Sequence, residues 1–302
     1  MFIVSIFGGL GSQMDQYSFA MALHEHYPDV HIKFDIFNLY PKEHGGYMLD
    51  QVFGIKIEEA SIGEIMHLSE SYPMTAKHNK IMRTLTSIRQ IVFGPKGTQI
   101  QPDDASAYYK EVFELNPLKP HLFYGNWMND QYRTNIEDKI KDTFKFPEFK
   151  DEKNIELAKK IKETNSVSIH VRHGDYKAYG FPILPLEYYK QATNIIKEKI
   201  EKPHYFVFSD DTEYIKEKFS FLKHYTIVDN NHGDDSFRDM QLMSLCQHNI
   251  IANSSFSYWG AYLNRNEDAI IIAPRYHVPS CKHPFAKSSW ITLDNHKLTD
   301  ND

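Results

Sequence analysis

Cysteine is almost missing from the chain: Cys246 and Cys281 are the two copies among 302 residues. That is too few for a disulfide framework in a protein of this size, and it fits a reducing compartment. Long apolar runs are missing as well, since no stretch approaches the roughly 18 residues of a membrane span. The opening Met-Phe-Ile-Val-Ser-Ile-Phe meets Gly8 and Gly9 before it could serve as a signal h-region, and it lacks a basic n-region. The expected location is cytoplasmic. There is no basic excess either: 34 Lys and Arg stand against 40 Asp and Glu, a net charge of −6. A protein that holds polyanions by counterion release would show the opposite balance, so nucleic acid is not an expected partner and any phosphate must be met by a local site. Internal repeats and low-complexity tracts are absent, and only Leu298–Asp302 reads as a frayed tail. The remaining composition, 41% apolar and 25% charged, is that of a globular protein with room for two domains.

What is present is an α/β rhythm. Phe2–Phe7 is a short apolar run ending in glycines, and Ser12–Tyr27 then places Met14, Tyr17, Ala20, Met21 and His24 at helical spacing. Val30–Phe37 follows as a second strand, so the first 37 residues predict a βαβ unit in a parallel sheet. Helices are expected near Ile62–Ser69 and Lys77–Ile91, a loop around Gly94–Gly97, and a closing strand at His121–Gly125. Asn129–Lys145 and Asp151–Glu163 read as helices on either side of Phe146-Pro147-Glu148, which marks a domain boundary near that segment. Beyond it, strands at Ser166–Val171, His204–Ser209, Tyr225–Val228, Asn249–Ala252 and Ala269–Ala273 are expected. They alternate with helices near Leu186–Ile200, Thr212–Phe219, Ser236–Cys246 and Tyr258–Asn264, the pattern of a doubly wound parallel sheet.

Four segments carry chemistry. The first is Gly8-Gly9-Leu10-Gly11, which follows a strand and opens a helix where a dinucleotide fold would cradle pyrophosphate. The fingerprint needs a third glycine where Met14 stands, so a nicotinamide cofactor is disfavoured, and a tight turn by itself would also want glycine. The polar run Ser12, Gln13, Asp15 and Gln16 on the first helical turn predicts a face turned to a cleft. The second segment is His170-Val171-Arg172-His173-Gly174-Asp175-Tyr176, at the carboxyl end of a predicted strand where ligands of open parallel sheets bind. Alternation puts His170 and Arg172 on one side of that strand, and the guanidinium fork suits a diphosphate. A plain Arg172–Asp175 loop pair is the competing explanation. The third is Ser209-Asp210-Asp211, where Asp211 suits a helix N-cap and the adjacent carboxylates make a poor Mg²⁺ site. The fourth runs from Asp239 through the strand at Asn249–Ala252 to Asn253-Ser254-Ser255-Phe256, a row of polar residues before a helix that could meet phosphate oxygens.

Other patterns fail on spacing. Cys246-x-His248 and Cys281-x-His283 use one intervening residue, not the usual two to four of a zinc site. Gly94-Pro95-Lys96-Gly97-Thr98 lacks the spacing of a P-loop.

Together the four segments resemble the bacterial GDP-fucose-dependent α-1,2-fucosyltransferases, glycosyltransferase family 11. The likeness rests on the Gly8–Ala20 opening, the His-x-Arg-x-Gly-Asp of 170–175, the Phe208–Asp211 turn and the Asp239–Asn264 run, in that order and nearly over the whole chain. The resemblance implies two facing Rossmann-like domains in the GT-B arrangement, an acceptor-side domain at 1–148 and a GDP-fucose-binding domain at 149–302. It implies transfer with inversion to the 2-hydroxyl of a galactose-containing oligosaccharide, with no cofactor and no metal. Carried over by position, Arg172 binds the donor pyrophosphate, His170 lines the nucleotide pocket and Asp239 reads guanine through its N1–H and exocyclic amine. Asn253, Ser254, Ser255 and Phe256 hold the phosphates and ribose region, and Asp210 joins the donor-binding set. Gly9, Gly11, Ser12, Gln13 and Asp15 fall on the acceptor or cleft side. Ser12 and Asp15 depart from the family opening, which has Asn and Phe there; this bears on acceptor choice and leaves open a fucosyltransferase of another linkage or a catalytically silent GDP-sugar binder. A transfer of this kind needs a general base. Asp175 is the nearest carboxylate, with a scaffold role equally open to it, and Asp15 is an outside candidate.

Overall fold

A computed structural model describes residues 1–39, 45–70, 80–94 and 96–297 of the chain; the side chains of 80–83, 86, 175, 178 and 179 lie outside that description. The expected tail at 298–302, and residues 77–79 of the expected second helix, fall outside the described residues. The chain divides into two compact units, Met1–Lys145 and Phe146–Asp302. The division falls just before the Phe146-Pro147-Glu148 segment.

The first unit runs β1 (Phe2–Ser5), α1 (Leu10–His26), β2 (Ile32–Asp35), α2 (Met48–Phe53), α3 (Ile62–Leu68), α4 (Lys80–Phe93), β3 (Gln99–Ile100), β4 (His121–Phe123) and α5 (Glu137–Thr143). Its sheet has the order β2-β1-β4-β3, and every pairing is parallel. β1 sits inside that sheet with all four residues buried, which is why it reads as an unbroken apolar run. The predicted βαβ unit is there, with Phe2 opposite Ile32 and Ser5 opposite Asp35. The turn between β1 and α1 needs Gly8: its φ is +77°, and a Cβ there would stand 3.2 Å from the Cβ of Ser12.

The second unit runs α6 (Glu152–Lys162), β5 (Ser166–Val171), α7 (Gly174–Tyr179), α8 (Leu186–Lys199), β6 (His204–Ser209), α9 (Thr212–Lys218), β7 (Tyr225–Val228), α10 (Phe237–Leu245), β8 (His248–Ile250), α11 (Ser255–Tyr262), β9 (Ile271–Pro274) and β10 (Ile291–Leu293). Its six strands are ordered β10-β9-β8-β5-β6-β7, again parallel throughout. Alternation along β6 builds a core on each face. Tyr205 and Val207 pack with Val167, Ile169, Tyr188, Ala192 and Ile196, whereas Phe206 and Phe208 pack with Ile161, Leu242 and Met243. α10 and α11 lie so close that a Cβ on Gly260 would be 2.9 Å from the Cβ of Met243, so this glycine is a packing requirement.

Two expectations are corrected. The single helix expected at Asn129–Lys145 is a short 3₁₀ turn at Asp130–Tyr132 followed by α5. The last helix begins at Ser255 instead of Tyr258 because Ser254 caps it, accepting from the Phe256 N–H at 3.3 Å. Among the described residues no helix is long and apolar enough to cross a membrane.

Candidate active site

In the second unit the chain leaves β5, visits β6 and β7 on one side, then crosses to β8, β9 and β10 on the other. The reversal falls between β5 and β8, and a crevice at the carboxyl ends of the strands is where such sheets bind ligands. His170 and Arg172 leave β5 at this point, and Asn253 to Phe256 leave β8 beside them. The two sides touch: the rings of His170 and Phe256 are 5.8 Å apart.

Arg172 is held rather than loose. Its Nε lies 3.6 Å from Oδ2 of Asp210, at the end of the neighbouring strand β6. The other Asp210 oxygen, Oδ1, accepts from the backbone N–H groups of His173 at 2.9 Å and Gly174 at 3.1 Å. One carboxylate thus starts α7 and steadies the guanidinium. Among the described side chains, Asp210 is the carboxylate next to Arg172; the Asp175 side chain of the competing pair lies outside them. These contacts give Asp210 a supporting place in the loop. Asp175 stands on the first turn of α7. Tyr176 closes the predicted segment without a role read from the sequence, yet the Arg172 guanidinium carbon sits 5.7 Å from its ring centre, and its hydroxyl donates to the Asn253 carbonyl at 3.1 Å. It ties the two loops together. His173 turns away, bonding Asp211 at 2.8 Å and stacking on Tyr214 at 3.9 Å. Asp211 caps α9 as expected.

Two buried polar atoms at the reversal find no hydrogen-bond partner among the described residues: Nδ1 of His170 and Oδ1 of Asn253. Such atoms are costly when unpaired, and they are the kind of atom a ligand satisfies. Burial pushes the His170 imidazole down to about 3, with the Arg172 charge acting in the same direction, so the ring is neutral at pH 7. The Asn253 amide is fixed from the other side, its Nδ2 donating to the carbonyls of Pro182 at 2.9 Å and His277 at 3.0 Å. Ser254 is engaged as the α11 cap, and Ser255 opens the helix half-buried.

Asp239 lies on the first turn of α10, past the end of β7. Asn231 donates to its Oδ1 at 2.7 Å and is itself tied to Asn154, a support the sequence did not reveal. Burial, followed by the nearby Asp229 charge, raises its carboxyl to about 7 against the Asn231 hydrogen bond.

The first-unit residues sit differently. Gly9 caps α1 and Gly11 is buried within it, while Ser12 is half-buried. Gln13 is buried and knits the turn, donating to Gly8 O at 2.9 Å and Gly46 O at 2.8 Å and accepting from Met48 N at 2.9 Å. Gln16 likewise accepts from Phe7 N at 2.9 Å and donates to Asn126 at 3.0 Å. Asp15 is 1% exposed and pairs with the equally buried Arg133 at 2.7 Å. Arg133 also donates to Ser18 Oγ and to the carbonyls of Trp127 and Met128. The cleft placement expected for Gln13 and Asp15 is therefore corrected: both point into the first unit, and Asp15 is a core ion-pair partner rather than a base. The reason is long-range, since Arg133 is far away in sequence. The zinc patterns are also accounted for in part, as Cys246 is buried and His248 Nδ1 accepts from Ile270 N at 3.0 Å.

A profile of Glycosyl transferase family 11 matches residues 1–294. The Escherichia coli alpha-1,2-colitosyltransferase is 30% identical over 284 residues, 90% of each chain. The Escherichia coli O-antigen biosynthesis glycosyltransferase WbnK is 37% identical over 150 residues, 46% of this chain and 49% of that protein. Human galactoside alpha-(1,2)-fucosyltransferase 1 is 28% identical over 112 residues, 32% of this chain and 28% of that protein. The last two matches thus span half or less of those relatives' length.

Proposed function

The chain belongs to glycosyl transferase family 11, and from that premise we propose that it transfers L-fucose from GDP-fucose to the 2-hydroxyl of a galactoside, inverting the anomeric carbon and needing no metal. The observation that carries the reading is the convergence at the β5/β8 reversal. A guanidinium held by Asp210, a neutral His170 and an Asn253 stand together at the strand ends, with His170 Nδ1 and Asn253 Oδ1 lacking a hydrogen-bond partner among the described residues. In this reading Arg172 forks onto the diphosphate, and its fixed charge stabilises GDP as the bond from the anomeric carbon to the phosphate oxygen breaks. The acceptor oxygen forms its bond to that carbon from the opposite side, and its proton passes to a base. His170 contributes a hydrogen bond rather than a charge. Asp239 accepts the N1–H and amine of guanine, a donor pair that adenine lacks. Asp175, on the first turn of α7, is the proposed base. For it, Asp175→Asn lowers kcat by about 10²–10⁴ with GDP affinity nearly unchanged; weaker GDP-fucose binding with a mild loss of kcat assigns it to scaffolding instead.

A second reading is favoured by one finding, the colitosyltransferase similar over 90% of both chains. Colitose is L-fucose without its 3-hydroxyl, so the two readings differ in one donor contact. The test offers GDP-fucose and GDP-colitose in parallel, each with and without lactose and with excess EDTA, and follows GDP release and product linkage by NMR. Lactose-dependent turnover of GDP-fucose to an α-1,2 product in EDTA supports the proposal. Turnover confined to GDP-colitose replaces the donor, release of no GDP leaves a silent binder, and activity restored only by Mn²⁺ or Mg²⁺ removes the metal-independent part.

A further inference from the structure

The helix α4 carries exposed apolar side chains along one face. Leu85, Ile88 and Val92 recur at helical spacing on one side and are 54%, 51% and 63% exposed. Ile91 widens that side at 84%, and Phe93 extends it at the helix end at 77%. Elsewhere among the described residues, exposed large apolar side chains occur one at a time along the chain; scattered ones need no explanation, and a contiguous set does. The charge along the sequence that carries this helix is of one sign. Residues 71–102 contain five Lys and Arg (Lys77, Lys80, Arg83, Arg89 and Lys96) and no Asp or Glu, in a chain whose net charge is −6. Two of the five are braced against the unit: Arg89 lies 3.9 Å from Glu70, and Lys96 donates to the carbonyls of Met66 and His67 at the end of α3.

An apolar helical face inside a locally basic, acid-free stretch is what an interfacial helix needs, with apolar side chains entering the acyl boundary and cations meeting anionic headgroups. A protein partner would bury the apolar face equally well, but it would not require that 32 consecutive residues of an acidic chain hold no carboxylate. We propose that α4 docks the protein on an anionic lipid surface. The proposal stands apart from the transfer reaction, because binding to lipid requires neither donor nor acceptor.

The experiment is flotation of the full chain with phosphatidylcholine vesicles made with and without phosphatidylglycerol. Binding is expected on the anionic vesicles only, falling by about tenfold when ionic strength is raised from 0.05 to 0.5 M as headgroup attraction is screened. Ile91→Asp with Phe93→Asp should abolish it, while Leu118→Asp, at an exposed apolar site outside α4, should leave it intact. Thermal unfolding and GDP affinity, measured on each variant, separate loss of docking from loss of fold. Absence of vesicle binding by the unaltered chain, or undiminished binding by the double variant, overturns the proposal. So does a concentration-dependent dimer that the double variant dissociates while neither form floats, which would give the face to a second copy.

Discussion

Two loops in this chain start from the same sequence logic and end differently. Each follows a buried parallel strand, each contains glycine and each is followed by a dense polar set: Gly8 to Gln16 in the first unit, Arg172 to Asp175 with its neighbours in the second. In the first, the polar groups serve the fold. Gln13 and Gln16 bond the turn backbone, and Asp15 meets Arg133 in the core. In the second, Asp210 serves the fold so that Arg172 need not, and two buried atoms, on His170 and Asn253, have no partner among the described residues. Polar density at a strand end therefore does not by itself mark a site, and neither does an unused buried polar atom, since both nitrogens of His121 in the first unit also lack a partner among the described residues. The candidate site is distinguished by unused capacity that coincides with a chain reversal at the carboxyl ends of the strands.

The largest effect that tests this contrast is in the first unit. Arg133→Met removes one partner of a fully buried ion pair and leaves the Asp15 carboxylate in the core, which should cost about 3–5 kcal/mol of stability. Denaturant unfolding measures it. A variant that unfolds at the same midpoint would place Asp15 on a ligand-facing surface after all. The counterpart in the second unit is Arg172→Lys, which keeps the charge and loses the fork. It should leave the unfolding free energy within about 0.5 kcal/mol of the parent, because Asp210 still receives the His173 and Gly174 amides. Turnover should fall roughly 30- to 1,000-fold, the equivalent of about 2–4 kcal/mol of transition-state stabilisation. Near-normal turnover with normal GDP affinity would remove Arg172 from the diphosphate site.

Much of this was legible in the sequence because it is written locally. The βαβ opening, the strand that ends at His170 and Arg172, the Asp211 cap and the polar row after β8 all follow from short-range periodicity and turn chemistry. What was not legible is set by distant partners. Nothing near Asp15 announces Arg133, whose guanidinium draws in the Trp127 and Met128 carbonyls just ahead of the 3₁₀ turn where a continuous helix was expected. Nothing near Gly174 announces that Asp210, from the next strand, starts α7. β10 is a three-residue edge strand, too short for its alternation to register. Asp239 was legible as a residue but not in its electrostatics, since the Asn231–Asn154 support and the Asp229 charge come from other segments.

Those electrostatics give the finest test of the contrast, because they concern a group that the fold holds away from its ordinary protonation. Burial raises the Asp239 carboxyl to about 7. In the proposed function guanine offers it two N–H donors, so binding would favour the ionised form, and a protonated carboxyl must lose its proton before it can accept both. The direction follows. Above pH 7 the carboxylate predominates and affinity is level; below it the protonated form predominates, and affinity should fall by about tenfold per pH unit as binding comes to expel a proton. His170, held near 3, stays neutral across this window and does not contribute. Guanosine is the probe of choice because it has no phosphate to titrate, with calorimetry from pH 8 to pH 5 reporting both affinity and proton release. Asp239→Asn should bind weakly at every pH with no slope, since its amide cannot lose a proton in this range and presents N–H groups to the donors of guanine. An affinity that stays level down to pH 5 in the unaltered chain, or a slope that persists in Asp239→Asn, would take guanine recognition away from Asp239 and leave its raised carboxyl as a feature of the α10 core alone.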